Sequence, residues 1–191
     1  MHKTYKRILI VLIIMLISFC VIIFGFYIWL NLSLNTVISK DSYKELVQEI
    51  RQTPQLPERF YGIYSKVAGV NIKSSSKNHI TERIFNILTN QSNYKNGCPC
   101  IDAAYIQGIN STIDTWIVGL ALDKEVTTEQ CFAFYLSHFD YLFSQIGIRN
   151  ASKFYYNKEI EELNDDEMYE ISVMTVNPAY FNKLRNSEKL K

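Results

Sequence analysis

Residues Ile8 to Leu30 form an uncharged, overwhelmingly apolar run of 23 residues, and no other feature constrains the chain so strongly. At about 1.5 Å rise per residue, a helix of that length covers roughly 35 Å, enough for the hydrocarbon core of a bilayer. Lys3, Lys6 and Arg7 precede the run, and the next charge is Lys40. The positive-inside rule then leaves the N-terminus in the cytoplasm and the rest of the chain outside, in a single-pass topology at the cytoplasmic (inner) membrane. A cleaved signal peptide is the competing reading, but it wants a shorter apolar stretch and small residues at the cut. Phe26, Tyr27, Trp29 and Leu30 are poor for cleavage, and Tyr27 and Trp29 suit an interfacial aromatic belt. The chain therefore divides into a cytoplasmic tail (1–7), a transmembrane anchor (8–30), a juxtamembrane helix and linker (31–54), and one outer domain (55–191).

With three of the 20 bases ahead of the run, 17 face all 19 acids, a net of −2 outside. That balance excludes a nucleic-acid binder by charge. The charge is uneven: residues 40–95 hold nine bases and five acids, and residues 159–170 hold seven acids and no base. Two solvated faces account for this. The basic one also suits phosphates or anionic lipid headgroups. Of the four cysteines, Cys98, Cys100 and Cys131 lie outside, where disulfides form. Three is odd, so one is left over. Cys131 can pair with Cys98 or with Cys100, and the sequence does not choose. Cys-Pro-Cys is too short for a metal knuckle, so no metal site is expected.

The outer domain reads as mainly α. "DSYKELVQEIRQ" (41–52) is a short amphipathic helix capped by Asp41 or Ser42, with Tyr43, Leu46, Val47 and Ile50 on one stripe. Pro54 and Pro57 end it. A helix is expected up to Gly69, then a polar loop at 71–78. A further helix at 79–90 should turn Ile80, Ile84, Ile87 and Leu88 inward. Residues 89–100 read as a loop. Thr127 to Gln130 spells a capping box. From Phe132 to Ile146 apolar residues recur at helical spacing, with Gly147 as the stop. Asn164 with Glu167 opens another helix, with Met168, Ile171, Val173 and Met174 inward, ended by Pro178. No alternating strand run appears.

"TTEQCFAFYL", "GIRNASKFYYNK", "EELNDDE" and "NPAYFNKLRNSE" follow one another in an order that resembles the glycosyltransferase family 51 domain. This is the peptidoglycan polymerase domain of penicillin-binding proteins and monofunctional transglycosylases. The family's Leu-Glu falls on Leu122-Asp123, its Ser-Lys-Glu-Glu-Ile-Leu on Thr127–Phe132, and its Tyr-Leu-Asn on Tyr135-Leu136-Ser137. Its Tyr-Phe-Gly-Lys falls on Tyr155-Tyr156-Asn157-Lys158. Its Pro and aromatic-Asn fall on Pro178 and Phe181-Asn182. From about 111 to 189 the register holds without a gap. Further upstream, "LPERFYGIYSKVAGV" resembles the lead into the family's Glu-Asp-x-x-Phe motif, and "NHITERIFNIL" its Ser-Thr-Ile-Thr-Gln-Gln-Leu-Ala helix. The resemblance implies a small lysozyme-like helical domain that works beside a lipid-linked substrate.

Such enzymes need one glutamate as general base on a sugar hydroxyl, and a second carboxylate with cations to help a lipid pyrophosphate leave. The register puts the first glutamate near Ala68 and the second on Thr115, with Ser111-Thr112 in place of an Arg-Lys pair. Neither position carries a carboxylate, and a threonine hydroxyl does not act as a base near neutral pH. Asp114 neighbours the lost glutamate, rotated by about 100° on a helix. It is the candidate for a relocated catalytic acid. Lys73, Lys77, His79, Thr81 and Arg83 are the candidates for ligand binding, each with a plainer reading as a solvated or helix residue. No cofactor is expected, and a divalent metal only if the chemistry runs. The leading expectation is a membrane-anchored pseudoenzyme in cell-envelope glycan assembly, bound to membrane lipid and acting on a lipid-linked peptidoglycan precursor or a cell-wall polymerase. The rivals are an active glycosyltransferase with relocated acids, and an anchored helical interaction protein with only structural likeness.

Overall fold

The computed structural model describes residues 2–90 and 97–186, with side chains from Lys6 onward. Ten α-helices and one short 3-10 turn occupy the described residues, with no strand beyond the single bridge Asp140–Ile146. The mainly α expectation holds. Helix α1 (His2–Leu32) contains the one helical stretch, Lys6–Leu32, that is long and apolar enough to cross a membrane. The side chains from Ile8 to Phe24 touch nothing that would cover them, as lipid-facing residues should. The last turns are different. Leu30 is wholly buried, packed with Ile80, Cys98, Ile101, Trp116, Ile117 and Leu120.

Helices α2 (Leu34–Val37) and α3 (Lys40–Gln52) follow at once. The cap of α3 is Ser39, whose Oγ accepts the Ser42 N–H at 3.1 Å. Asp41 and Ser42, the expected caps, already lie inside the helix, because the chain turns helical as soon as a hydroxyl is available to hold the free N–H groups. Leu46, Val47 and Ile50 are buried as their stripe requires. They pack with Cys100, Ala103, Ala104, Val118, Leu122 and Phe134, so α3 is built into the core of the domain that follows α1.

Helix α4 (Glu58–Ala68) ends on Gly69 at φ +64, the left-handed stop that glycine takes without a Cβ clash. Helix α5 (Ser76–Thr89) starts earlier than the sequence indicates, because Ser75 caps it. Of its expected inward residues only Ile80 is buried, with Ile84 partly so. Ile87 and Leu88 point outward together with Phe85. The neighbouring helices cover only the first half of α5, so the stripe outruns its partners. Residues 91–96, the middle of the expected loop, lie outside the described residues. Its last two positions belong instead to α6 (Pro99–Ile106), where Pro99 sits at the first helical position and loses no intrahelical bond there.

Helix α7 (Thr112–Leu122) is capped by Ser111. Helix α8 (Thr128–His138) opens on the Thr127–Gln130 capping box, with both reciprocal bonds present. The helical spacing up to Ile146 does not continue as helix. The chain leaves α8 at Phe139 and doubles back: the Tyr141 N–H donates to Gln145 O at 2.9 Å and the Gly147 N–H to Phe139 O at 2.8 Å. Leu142, Phe143 and Ser144 all take positive φ at the tip. Full burial of Tyr141 holds this turn in place. Gly147 is thus the head of α9 (Ile148–Tyr156) rather than the end of α8. Its φ is +87, and a Cβ there would lie 2.5 Å from Ser137 O, so only glycine fits.

A 3-10 turn (Ile160–Glu162) leads to α10 (Asp165–Val176), opened by the expected Asn164–Glu167 capping box. Met168, Ile171, Val173 and Met174 are all buried, and the helix stops ahead of Pro178. Phe60 and Tyr64 of α4 pack with Phe132, Leu136, Tyr141, Met168 and Ile171 in the main core. Buried Asn182 donates from Nδ2 to the Tyr155 hydroxyl at 2.8 Å, which donates to Tyr141 O at 2.7 Å. That chain ties the C-terminal segment to the turn before α9.

The cysteine ambiguity is resolved. Cys100 of α6 is bonded to Cys131 of α8, and Cys98 is free and buried.

Candidate functional site

The expected site residues sort onto three elements. Ala68 is the last residue of α4, partly buried against the main core. Thr115 lies in the first turns of α7, buried, with Oγ1 donating to Thr112 O at 2.9 Å. The two belong to different packing units. Asp114, beside Thr115, is half-buried, and its N–H faces Ser111 Oγ at 3.5 Å.

The ligand-binding candidates do come together on α5 and the turn before it, but not as a set of free donors. The Thr81 hydroxyl donates back to Lys77 O at 2.8 Å. His79 is buried, and desolvation, then the Arg83 charge, lowers its pKa, which keeps it neutral at neutral pH. Arg83 is half-buried and engaged. Lys77 is exposed, its Nζ 5.7 Å from the centroid of the Tyr27 ring on α1. Lys73 is exposed in the turn that Asn71 Oδ1 closes on its N–H at 3.0 Å.

Asp123, at the family's Leu-Glu position, has a structural task. Its Oδ2 accepts the Ser76 N–H at 2.7 Å and its Oδ1 the Ser76 hydroxyl at 3.0 Å, joining the head of α5 to the foot of α7. Burial raises its pKa and the Ser76 bonds pull it back. Cys98 lies in the same corner, its Sγ 3.7 Å from Ser76 Oγ, and burial pushes its thiol up to about 12. Such a thiol stays protonated and unreactive. At Gly119 a Cβ would come within 2.7 Å of the Ile101 side chain, so α7 lies hard against α6.

The group that sequence reasoning missed is Asp102. It sits on α6 between Pro99, Cys100 and Ile101 on one side and Ala103 and Ala104 on the other, all buried. Although the residue keeps some surface, desolvation of its carboxyl pushes its pKa up to about 7, against a stabilising bond from the Cys98 backbone. Its charge is felt by Tyr64 of α4 and Tyr135 of α8, and raises both hydroxyls further. Tyr141, in turn close to Tyr64, Tyr135 and Tyr156, is fully buried, and its hydroxyl has no partner among the described residues. A carboxyl whose pKa burial raises toward neutrality, within electrostatic reach of Tyr64 and Tyr135, is a candidate proton-handling group. Its sequence signal is an isolated acid in an otherwise apolar helix. A cleft of about 430 Å³ lies elsewhere, between α2, α3 and the turn after α6, lined by Val37, Ile38, Glu45, Leu46, Glu49 and Ile109 among others. None of the expected site residues lines it.

A family model described as Transglycosylase matches residues 88–191, more than half of the chain. The chain belongs to that family, and the matched part is a glycosyltransferase family 51 transglycosylase domain, of the kind that acts on lipid-linked peptidoglycan precursors. No curated protein matches the chain. The match begins after Ala68, Lys73, Lys77, His79, Thr81 and Arg83, and takes in Asp102, Asp114, Thr115 and Asp123. Between its start and Asp123 the sequence holds two carboxylates, Asp102 and Asp114.

Proposed function

We propose that this protein is a transglycosylase-family member held at the outer face of the cytoplasmic membrane by α1, which engages lipid-linked glycan or a true polymerase without polymerising glycan itself. One observation carries the reading: the matched segment contains no glutamate upstream of Asp123. The Thr115 hydroxyl is spent on the backbone of its own helix. Developing charge on a pyrophosphate would need cations, and Ser111-Thr112 supply none.

A second reading has its own support. A carboxyl poised near neutral pH is what a general base needs, and Asp102 is such a group. In that case the enzyme is active and its acid has moved to α6.

The test uses the full-length protein in detergent with labelled lipid-linked disaccharide–peptide, with and without divalent metal. Retention of the lipid without polymer is the expected result. Polymer that disappears in Asp102→Asn or in Asp114→Asn overturns the pseudoenzyme reading and names the relocated acid. Neither polymer nor retention removes the lipid-linked ligand and leaves the polymerase as partner.

A further inference from the structure

We infer that the cleft between α2, α3 and the turn after α6 is a docking groove for the juxtamembrane segment of a partner protein, one in which lysines or arginines alternate with large apolar residues. Its floor and its rim differ in chemistry. Val37, Ile38, Leu46 and Ile109 make an apolar floor, and all four belong to or pack against the core cluster that holds Cys100 and Cys131. Glu45 and Glu49 stand exposed on the rim. Neither carboxylate has an ion-pair or hydrogen-bond partner among the described residues. Two cations of α3 are turned elsewhere: Lys44 faces Asp41 at 3.9 Å, and Arg51 holds Glu125 at 3.0 Å. Like charges one helix turn apart repel, so a ligand that brings cations relieves a cost that the free protein carries.

The dimensions favour a polypeptide over a single amine. The cleft, of about 430 Å³, has room for a few side chains. Its two carboxylates lie roughly 6 Å apart, close to the step between alternate residues of an extended chain. One lipid headgroup amine meets one of them, whereas two cations on one backbone meet both. Lysine stems can lie along the apolar floor and put their amines at the rim. The groove is also fixed before anything binds. The Cys100–Cys131 bond ties α6 to α8 behind the floor, and Gly108, at φ +83, shapes the turn with its N–H on Tyr105 O at 3.0 Å. A wall already in place loses little entropy on binding. Position narrows the partner. Helix α2 starts two residues after α1 ends, and Val37 also packs against the cluster that buries Leu30. With α1 in a bilayer, the groove stands just outside the membrane surface, where the outer flanks of other membrane-spanning helices run. That placement rests on the reading of α1 as an anchor; the chemistry of the groove does not.

The experiment has two arms, both on the full chain. In an uncharged detergent, a fluorescent Lys-Leu-Lys-Leu-Lys peptide is titrated and its anisotropy read, with Ser-Leu-Ser-Leu-Ser as the comparison. The lysine peptide should bind and the serine peptide should not. Glu45→Gln with Glu49→Gln should weaken binding about tenfold, and Asp166→Asn, an exposed acid on α10, should leave it unchanged. No binding, equal binding by all variants, or binding of the serine peptide overturns the groove. A wild-type dimer in sedimentation that the double variant dissolves makes the occupant a second copy and overturns the partner. In the second arm the lysine sequence forms the outer flank of a synthetic polyleucine transmembrane helix in phosphatidylcholine vesicles. Energy transfer is read to a dye on Tyr169→Cys in a Cys20→Ser background. Transfer that the double variant abolishes is the expected result. Peptide binding in detergent without transfer in vesicles, from a chain that floats with the vesicles, overturns the juxtamembrane source. A chain that does not float with them overturns the anchor reading instead, and the detergent arm then judges the groove alone.

Discussion

The α8–α10 block and the α5–α7 block are neighbours in one domain, yet they are held together by different means. In α8–α10 the chain ends are fixed by local polar grammar: three reciprocal capping boxes, the Lys158–Glu167 pair at 2.7 Å, and the Asn182–Tyr155–Tyr141 hydrogen-bond chain. Thr127, Gln130, Tyr155, Lys158 and Asn182 among them lie on positions that the family resemblance matches. In α5–α7 the cohesion comes from burial and cross-links: Ser76 on Asp123, the Gly119–Ile101 contact, and the disulfide from α6 to α8. There Thr115, a position at which the resemblance implies a carboxylate, is buried. If that register holds, backbone-fixing and chemistry-bearing positions part company along one chain, as the proposed function requires.

The comparison breaks most readily at the disulfide. It closes a separation of 31 residues, for which the chain-entropy model gives about 3–4 kcal/mol. Cys100→Ala with Cys131→Ala, or reduction, should lower the melting midpoint more than any single surface change. An unchanged midpoint would mean that α6 and α8 are held by packing alone. Placing a glutamate where the resemblance implies one is the next test. Thr115→Glu places a carboxylate among buried neighbours and should cost about 3 kcal/mol in urea melts. A neutral effect would show that the position opens to a cleft and that chemistry, not packing, is what changed there.

The smallest effect is the most informative about α6. The Asp102 carboxyl has its pKa raised from 3.8 to about 7 on folding. The folded state then binds more protons than the unfolded one between those values, so stability falls as pH rises. The contribution is complete below about pH 4 and is lost as pH climbs through 7. Asp102→Asn removes the buried charge. It should melt with the wild type below about pH 4 and become progressively more stable than the wild type as pH climbs through 7. Parallel melting curves across that range would mean that the carboxyl is solvated.

Much of this architecture could be read from residues alone, wherever a local rule decides. The long apolar N-terminal helix, the two expected capping boxes, the inward face of α10 and the Gly69 stop all follow from spacing and side-chain type. The failures have a common cause. The spacing of Phe132 to Ile146 fits a helix until Gly147 has to pass Ser137 O, a contact between segments ten residues apart. The stripe on α5 reads as core because a sequence does not say where its partner helix ends. Asp102 escaped notice because its environment is assembled from α4, α6 and α8. The candidate site was legible only as replacements. Thr115 and Asp114 could be named in advance, whereas Asp102, the acid that the fold encloses, could not.

The burial of Leu30 has a mechanical consequence. Because the last turns of α1 share a hydrophobic cluster with Ile80, Trp116, Ile117 and Leu120, α1 is not a leash on which the outer domain can swivel. Once α1 is in a bilayer, the height and azimuth of every surface on the domain are set by that one joint. A membrane-embedded partner can meet this protein from a narrow range of directions, and a chain cut after residue 32 would expose the socket rather than free the domain.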